Sequence, residues 1–330
     1  MLNRVSRIIA LAVIAATISV AAGAQSITTV IPFTAATRGI SVDPVRNKVY
    51  VVAPEPGGRA VNLAVIDGNT NTVTTSIPLT VGASFDAVDY FANRIYVAGC
   101  NKRVTPQACI VTVIDGNSNT VVTTVPVTST AGRGLTGITV NPLTGLVFVA
   151  NASDNVINII KGRTATLDGS ISLNGNAPNA IAINPIFDLL YIPYGTNQTA
   201  VVEAFTKRIV QTTTFGSSTT GVAVNVFTGN VFVTDQESSG PSLTGVFDTF
   251  GNFQTSVVVG DNPVGVDVDP FTNLAFVASP LLEQIDVING ATNTVQATVP
   301  GVNGEYVAVD IGTQTVYVSG QIGVTVLTEN

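Results

Sequence analysis

Short runs of Val, Ile, Thr and Leu alternate with polar turns along this chain, and the alternation itself repeats. An Asp or Asn recurs at Asp43, Asp89, Asn141, Asn184, Asn225, Asp269 and Asp310, each preceded by Val or Ile. Seven residues further on stands an aromatic ring every time: Tyr50, Tyr96, Phe148, Tyr191, Phe232, Phe276 and Tyr317, each followed by Val or Ile. Three registers filled seven times mark an internal repeat of about 44 residues. Each repeat predicts four strands. In the first, a short run at 39–42 leads into the turn Asp43-Pro44-Val45-Arg46-Asn47, built of the usual turn residues. Strands at 48–52 and 63–66 follow, separated by a variable loop. The turn Asp67-Gly68-Asn69-Thr70-Asn71, echoed at 115–119 and 289–293, then leads to an outer strand at 72–79. Four antiparallel strands in a repeat of this length make a propeller blade, so the fold class predicted is all-β, a seven-bladed β-propeller.

The seventh repeat stops at Val326-Leu327-Thr328-Glu329-Asn330, before any outer strand. Ser26 to Phe33 matches Thr72 to Leu79 almost residue for residue. That N-terminal segment is therefore predicted to pair beside the last blade, closing the ring and covering an exposed edge. One closed ring makes residues 25–330 one domain. The pieces Val42-Asp43-Pro44 with Lys48-Val49-Tyr50-Val51, Asn141-Pro142 with Val147-Phe148-Val149-Ala150-Asn151, and the Val-Ile-Asp-Gly-Asn-x-Asn-Thr-Val turns resemble the YVTN-repeat β-propeller family, within the wider group of lactonase-like seven-bladed propellers. The resemblance implies the fold; members of that family are often surface or periplasmic proteins with no assigned chemistry.

Ahead of the ring, Arg4 and Arg7 precede the apolar run Ile8 to Val20, and Ala22-Gly23-Ala24 has the small-x-small form of a signal-peptidase site. Residues 1–24 thus read as a signal peptide cleaved after Ala24. An apolar run of about 13 residues falls short of the ~20 a membrane span needs. The mature chain is expected to be exported, periplasmic or extracellular, monomeric and without a membrane span. Removing the leader moves the net charge from −7 to −9, and no basic stripe appears, so nucleic-acid binding is disfavoured. Cys100 and Cys109 are expected to form a local disulfide in an oxidising compartment.

The chain has no histidine and no tryptophan. That removes a Ser-His-Asp triad, a His general base, His-ligated zinc or iron and axial haem ligation, and it disfavours quinone cofactors that stack on Trp. No GxSxG, P-loop or dinucleotide motif is present. Chemistry would have to run on carboxylates, lysine, tyrosine or a bound hard cation.

The repeating Asp/Asn and aromatic positions read as turn formers and inter-blade packing. Breaks in the repeat are more informative. Three residues before the register Asp/Asn, six blades carry Ile or Val and blade two carries Asp86; two residues before it, six carry Ala, Ser or Thr and blade six carries Asp267. Both acids lie on inner strands, which are expected to line the central channel. A solvated carboxylate and a ligand or cation role both fit them. Loops at the same mouth add Arg38, Arg133, Asn176, Asn179, Asp261, Asn262, Asn303, Glu305 and Tyr306. A second set supplies Glu55, Arg59, Lys102, Arg103, Asp154, Asp235, Glu237 and Glu283. Their acid excess suits Ca²⁺ or a polar small molecule. The leading expectation is a non-enzymatic binding or cell-envelope interaction scaffold whose partner is a protein, glycan or small molecule. The rival is a metal-assisted hydrolase of lactonase type using Asp86 and Asp267.

Overall fold

The computed structural model describes residues 25–57, 60–79, 82–101, 103, 108–128, 132–237 and 240–329. The segment read as a signal peptide lies outside the described residues, as do Arg59 and Lys102.

Seven four-stranded antiparallel sheets make up the molecule, one per repeat. Blade one runs outward from its inner strand Ile40–Asp43 through Lys48–Pro54 and Val61–Asp67 to Thr72–Leu79. Blades two to six repeat this order. Blade seven takes three strands from the C-terminal end, Gly304–Asp310, Thr315–Gly320 and Gly323–Thr328, and its outer strand, Ser26–Pro32, from the N-terminal end. Ser26 stands opposite Thr328, and Pro32 opposite Gly323. Thr37 fastens the next stretch of chain to the same blade, its N–H donating to Gly320 O at 2.9 Å and its hydroxyl to Gly323 O at 2.9 Å.

The turn chemistry follows from the register residues. Asp43 Oδ1 accepts the N–H groups of Val45 and Arg46 at 3.0 and 3.2 Å, and Asn225 Oδ1 accepts those of Phe227 and Thr228 at 3.0 and 3.1 Å. The other five register residues hold their turns the same way, each offering Oδ1 to the backbone two residues on. All seven turns end on a residue in the left-handed region: Asn47, Asn93 and Asn273, with Gly145, Gly229, Asp188 and Gln314 in the other blades; Asn and Gly adopt it more readily than most residues. Asn47 O accepts the N–H of Gly68, and a Cβ on Gly68 would stand 1.8 Å from Asn47 Oδ1. The Asp-Gly-Asn turns therefore need glycine because the two turns of one blade close onto each other.

The core sits between blades. Seven apolar clusters fill the seven blade interfaces, and the register aromatics lie at their centres, fully buried. The cluster between blades seven and one includes Ile31 of the N-terminal strand beside Tyr317 and Val49. Cys100 and Cys109 stand directly opposite each other on adjacent strands of blade two and form a disulfide.

Candidate functional site

Successive residues of a strand point to opposite sides, so neighbouring positions of an inner strand have different fates. Numbered back from the register Asp/Asn, the residues three before it are Ile40, Asp86, Ile138, Ile181, Val222, Val266 and Val307, and all seven line one cavity of about 630 Å³ at the mouth of the channel. So do the residues four before it: Gly39, Phe85, Gly137, Ala180, Gly221, Gly265 and Tyr306. None of the residues two before it lines the cavity. There the side chain turns toward the next blade.

This parity separates the two repeat-breaking acids. Asp86 lines the cavity and is only 8 % exposed. Ser41 Oγ, on the neighbouring blade, donates to its Oδ2 at 2.5 Å, while Oδ1 has no partner. Burial pushes its carboxyl up to about 7, against the opposing effect of the Ser41 bond. Asp267 does not reach the cavity. Its Oδ1 accepts its neighbour Val268 N–H and its Oδ2 accepts Val309 N–H of blade seven, each at 2.9 Å. It clamps blade six to blade seven. Burial raises its carboxyl to about 6 although both N–H donors favour the charged form. Asp267 thus bridges two blades and stands outside the mouth cavity.

The mouth residues divide similarly. Arg133 and Asn179 line the cavity, Arg133 Nη1 donating to Asn179 Oδ1 at 3.1 Å, while Asn179 Nδ2 donates to Thr219 O at 2.9 Å. Arg38 is exposed beside the rim, and its Nη1 donates to Ser84 Oγ at 3.2 Å. Asp261 and Asn262 are exposed, and Glu305, half-buried, neighbours Tyr306 without lining the cavity. Other acids serve their own loops. Asp235 Oδ1 accepts Ser217 and Ser218 N–H at 2.9 and 2.6 Å; burial and nearby Glu237 raise its carboxyl. Asp154 accepts from Asn151, Glu55 from Asn62, and Glu283 from Asn303. Asn176 donates to Leu173 O, and Arg103 N–H to Asn101 Oδ1. Among the described residues, no three His, Cys, Asp or Glu side chains gather as a metal-holding group.

Two features of the mouth escape a search confined to charge. Four positions before the register residue, five blades carry Gly or Ala and two carry Phe85 and Tyr306. These rings belong to blades two and seven, which flank blade one, and they meet edge to face with centroids 5.9 Å apart. The pattern was readable as a break in the repeat, at an apolar position. Thr219, 2 % exposed, lines the opposite wall with its Oγ1 unpartnered. Nothing in the sequence singles it out.

Fold and site together define a seven-bladed β-propeller with a cavity of small-molecule size at one channel mouth. No family model matches the chain, and no curated protein does. Among solved structures, a chain of Kuenenia stuttgartiensis hydrazine synthase superposes with a TM-score of 0.73 at 16 % identity, covering 93 % of this chain and 98 % of that one. At that identity the likeness concerns the propeller fold alone.

Proposed function

We propose that this chain is an exported propeller of the YVTN-repeat kind that works by binding, with its ligand seat at the channel mouth. The reading is carried by the contrast between an extensive cavity and sparse reactive groups. All seven blades line a space of about 630 Å³, yet Asp86 is the one carboxyl among its lining residues. The metal-assisted hydrolase reading needs a cation held by several carboxylates. The second acid of that scheme, Asp267, has both oxygens engaged by backbone N–H groups. The Cys100–Cys109 disulfide supports export to an oxidising compartment. No helix among the described residues is long and apolar enough to cross a membrane.

The test is a lactone-hydrolysis assay on the mature chain with and without added Ca²⁺, repeated with Asp86→Ala and Asp267→Ala. The expected outcome is turnover no faster than buffer in all cases. Turnover that requires Ca²⁺ and vanishes with either alanine establishes the hydrolase instead.

A further inference from the structure

The cavity has a polarity that runs from rim to floor. Its guanidinium, Arg133, is exposed at the rim and bonded to Asn179, and Arg38 lies exposed outside it. The deeper wall holds Asp86, with an oxygen that no hydrogen-bond donor reaches. Charging a buried carboxyl with an unpartnered oxygen is costly, and a cation held beside the carboxylate offsets that cost. Beside it stand Phe85, its neighbour in sequence, and Tyr306, their rings in edge-to-face contact. Aromatic rings attract cations through their quadrupole, most strongly where water is excluded. The acid excess of the whole chain draws cations toward such a cleft. An anion would meet the arginines at the rim and the carboxyl further in.

We propose that the channel mouth seats a small organic ammonium compound, its cationic nitrogen against the Asp86 carboxylate and the rings of Phe85 and Tyr306. The assignment rests on the binding reading above. A compact inorganic cation would seek several oxygen ligands, whereas one carboxylate with two aromatic rings suits a cation whose charge is spread over C–H groups.

Burial sets the pH behaviour of Asp86, opposed by the hydrogen bond from Ser41 of blade one. The titratable and charged groups near it are Tyr50 of blade one, which feels its charge, and Arg133 of blade three and Tyr306 of blade seven, which line the same cavity, with Arg38 and Glu305 beside Tyr306. Burial leaves Asp86 half-protonated near pH 7, so an ammonium ion must displace its proton at lower pH.

Isothermal titration with tetramethylammonium and choline chlorides between pH 5 and 8 tests this. One saturable site is expected, with affinity rising about tenfold per pH unit up to pH 7 and levelling above it. Below pH 7 the heat should depend on the buffer, because binding releases a proton. Asp86→Asn, which keeps the size of the side chain, should abolish binding at every pH; Tyr306→Leu should weaken it about tenfold. Failure of both probes to bind, affinity that ignores pH, or binding retained in Asp86→Asn overturns the proposal. So does Ca²⁺ binding that excludes the probes. A neutral sugar or acetate that stabilises the protein, with the effect lost in Arg133→Ala, overturns the ammonium assignment while leaving the binding reading intact. Lactone turnover abolished by Asp86→Ala overturns both.

Discussion

At Gly221 an added Cβ would stand 2.2 Å from the carbonyl oxygen of Val264 on the next blade, and at Gly265 it would stand 2.2 Å from that of Glu305. At Gly137 the nearest atom is the Ile181 Cγ2 at 3.2 Å, a side-chain tip that can give way. The inner strands therefore approach backbone to backbone, which keeps the channel mouth both narrow-walled and rich in accessible backbone. Alanine at Gly221 or Gly265 should destabilise the protein by about 1–3 kcal/mol in chemical denaturation, and alanine at Gly137 by clearly less. An equal cost at all three would mean that the strands separate freely. The same four-before register shows what was readable at this scale. Its glycines and its two aromatic exceptions stand openly in the repeat, but the alternation of side chains decides which breaks face the cavity. Asp86 and Asp267 are adjacent in register and break the pattern equally, yet one faces the cavity and the other a neighbouring blade. Thr219 became visible only once the loops around it were placed.

Strands and turns were largely readable, because each turn is written in residues with one physical job. The Asp/Asn at the register positions tie down the following N–H groups, Asn supplies left-handed φ, and the missing outer strand of blade seven left a gap that one segment fits. Strand limits were less so: the third strand of blade one runs Val61–Asp67 rather than 63–66, because its pairing continues past the apolar stretch. Two elements make a direct comparison of cross-links. Deleting residues 25–33 removes Ile31 from the interface of blades seven and one and strips Gly323–Thr328 of its edge partner. Replacing both cysteines by serine frees a hairpin that remains fully paired, at a cost of about 2–3 kcal/mol in the loop-entropy picture. The deletion should lower the thermal midpoint far more than the serine pair, and limited proteolysis should cut first in blade seven. A smaller loss from the deletion than from the serine pair would show that the ring holds without its N-terminal strand.

Over the whole molecule, several carboxyls are pushed upward, chiefly by burial. Asp86 is raised to about 7 and Asp267 to about 6, and Asp310 is raised as well. Buried Glu329, bonded to Thr272 and facing Asp269, is also held well above the ordinary range. A raised acid binds its proton more tightly when folded, so stability falls as pH climbs from about 4 through these values and is flat above them. Half-buried Asp115 and Asp168 are shifted down by hydrogen bonds and, for Asp168, by the charges of Lys161 and Lys207. In Asp248 burial pushes up but hydrogen bonds from Asn252, Phe250 and Gly251 outweigh it; all three lose stability only as pH drops below their ordinary range. Calorimetry should find the highest thermal midpoint near pH 4 to 5 and a decline toward pH 8. Asp86→Asn should remove part of that decline, adding roughly 1–4 kcal/mol at pH 8. A midpoint that rises with pH would mean that Asp86 is charged and well satisfied. Finally, Ser26 pairs with Thr328 across 302 residues, while each of the first six blades is built from strands next to one another in sequence. Six blades can assemble as the chain lengthens, but the seventh must wait for its last strands, carrying the largest loop-closure entropy of the fold. The N-terminal strand, first to be made, is the last to find its place, so joining the two ends of the ring should set the pace of folding.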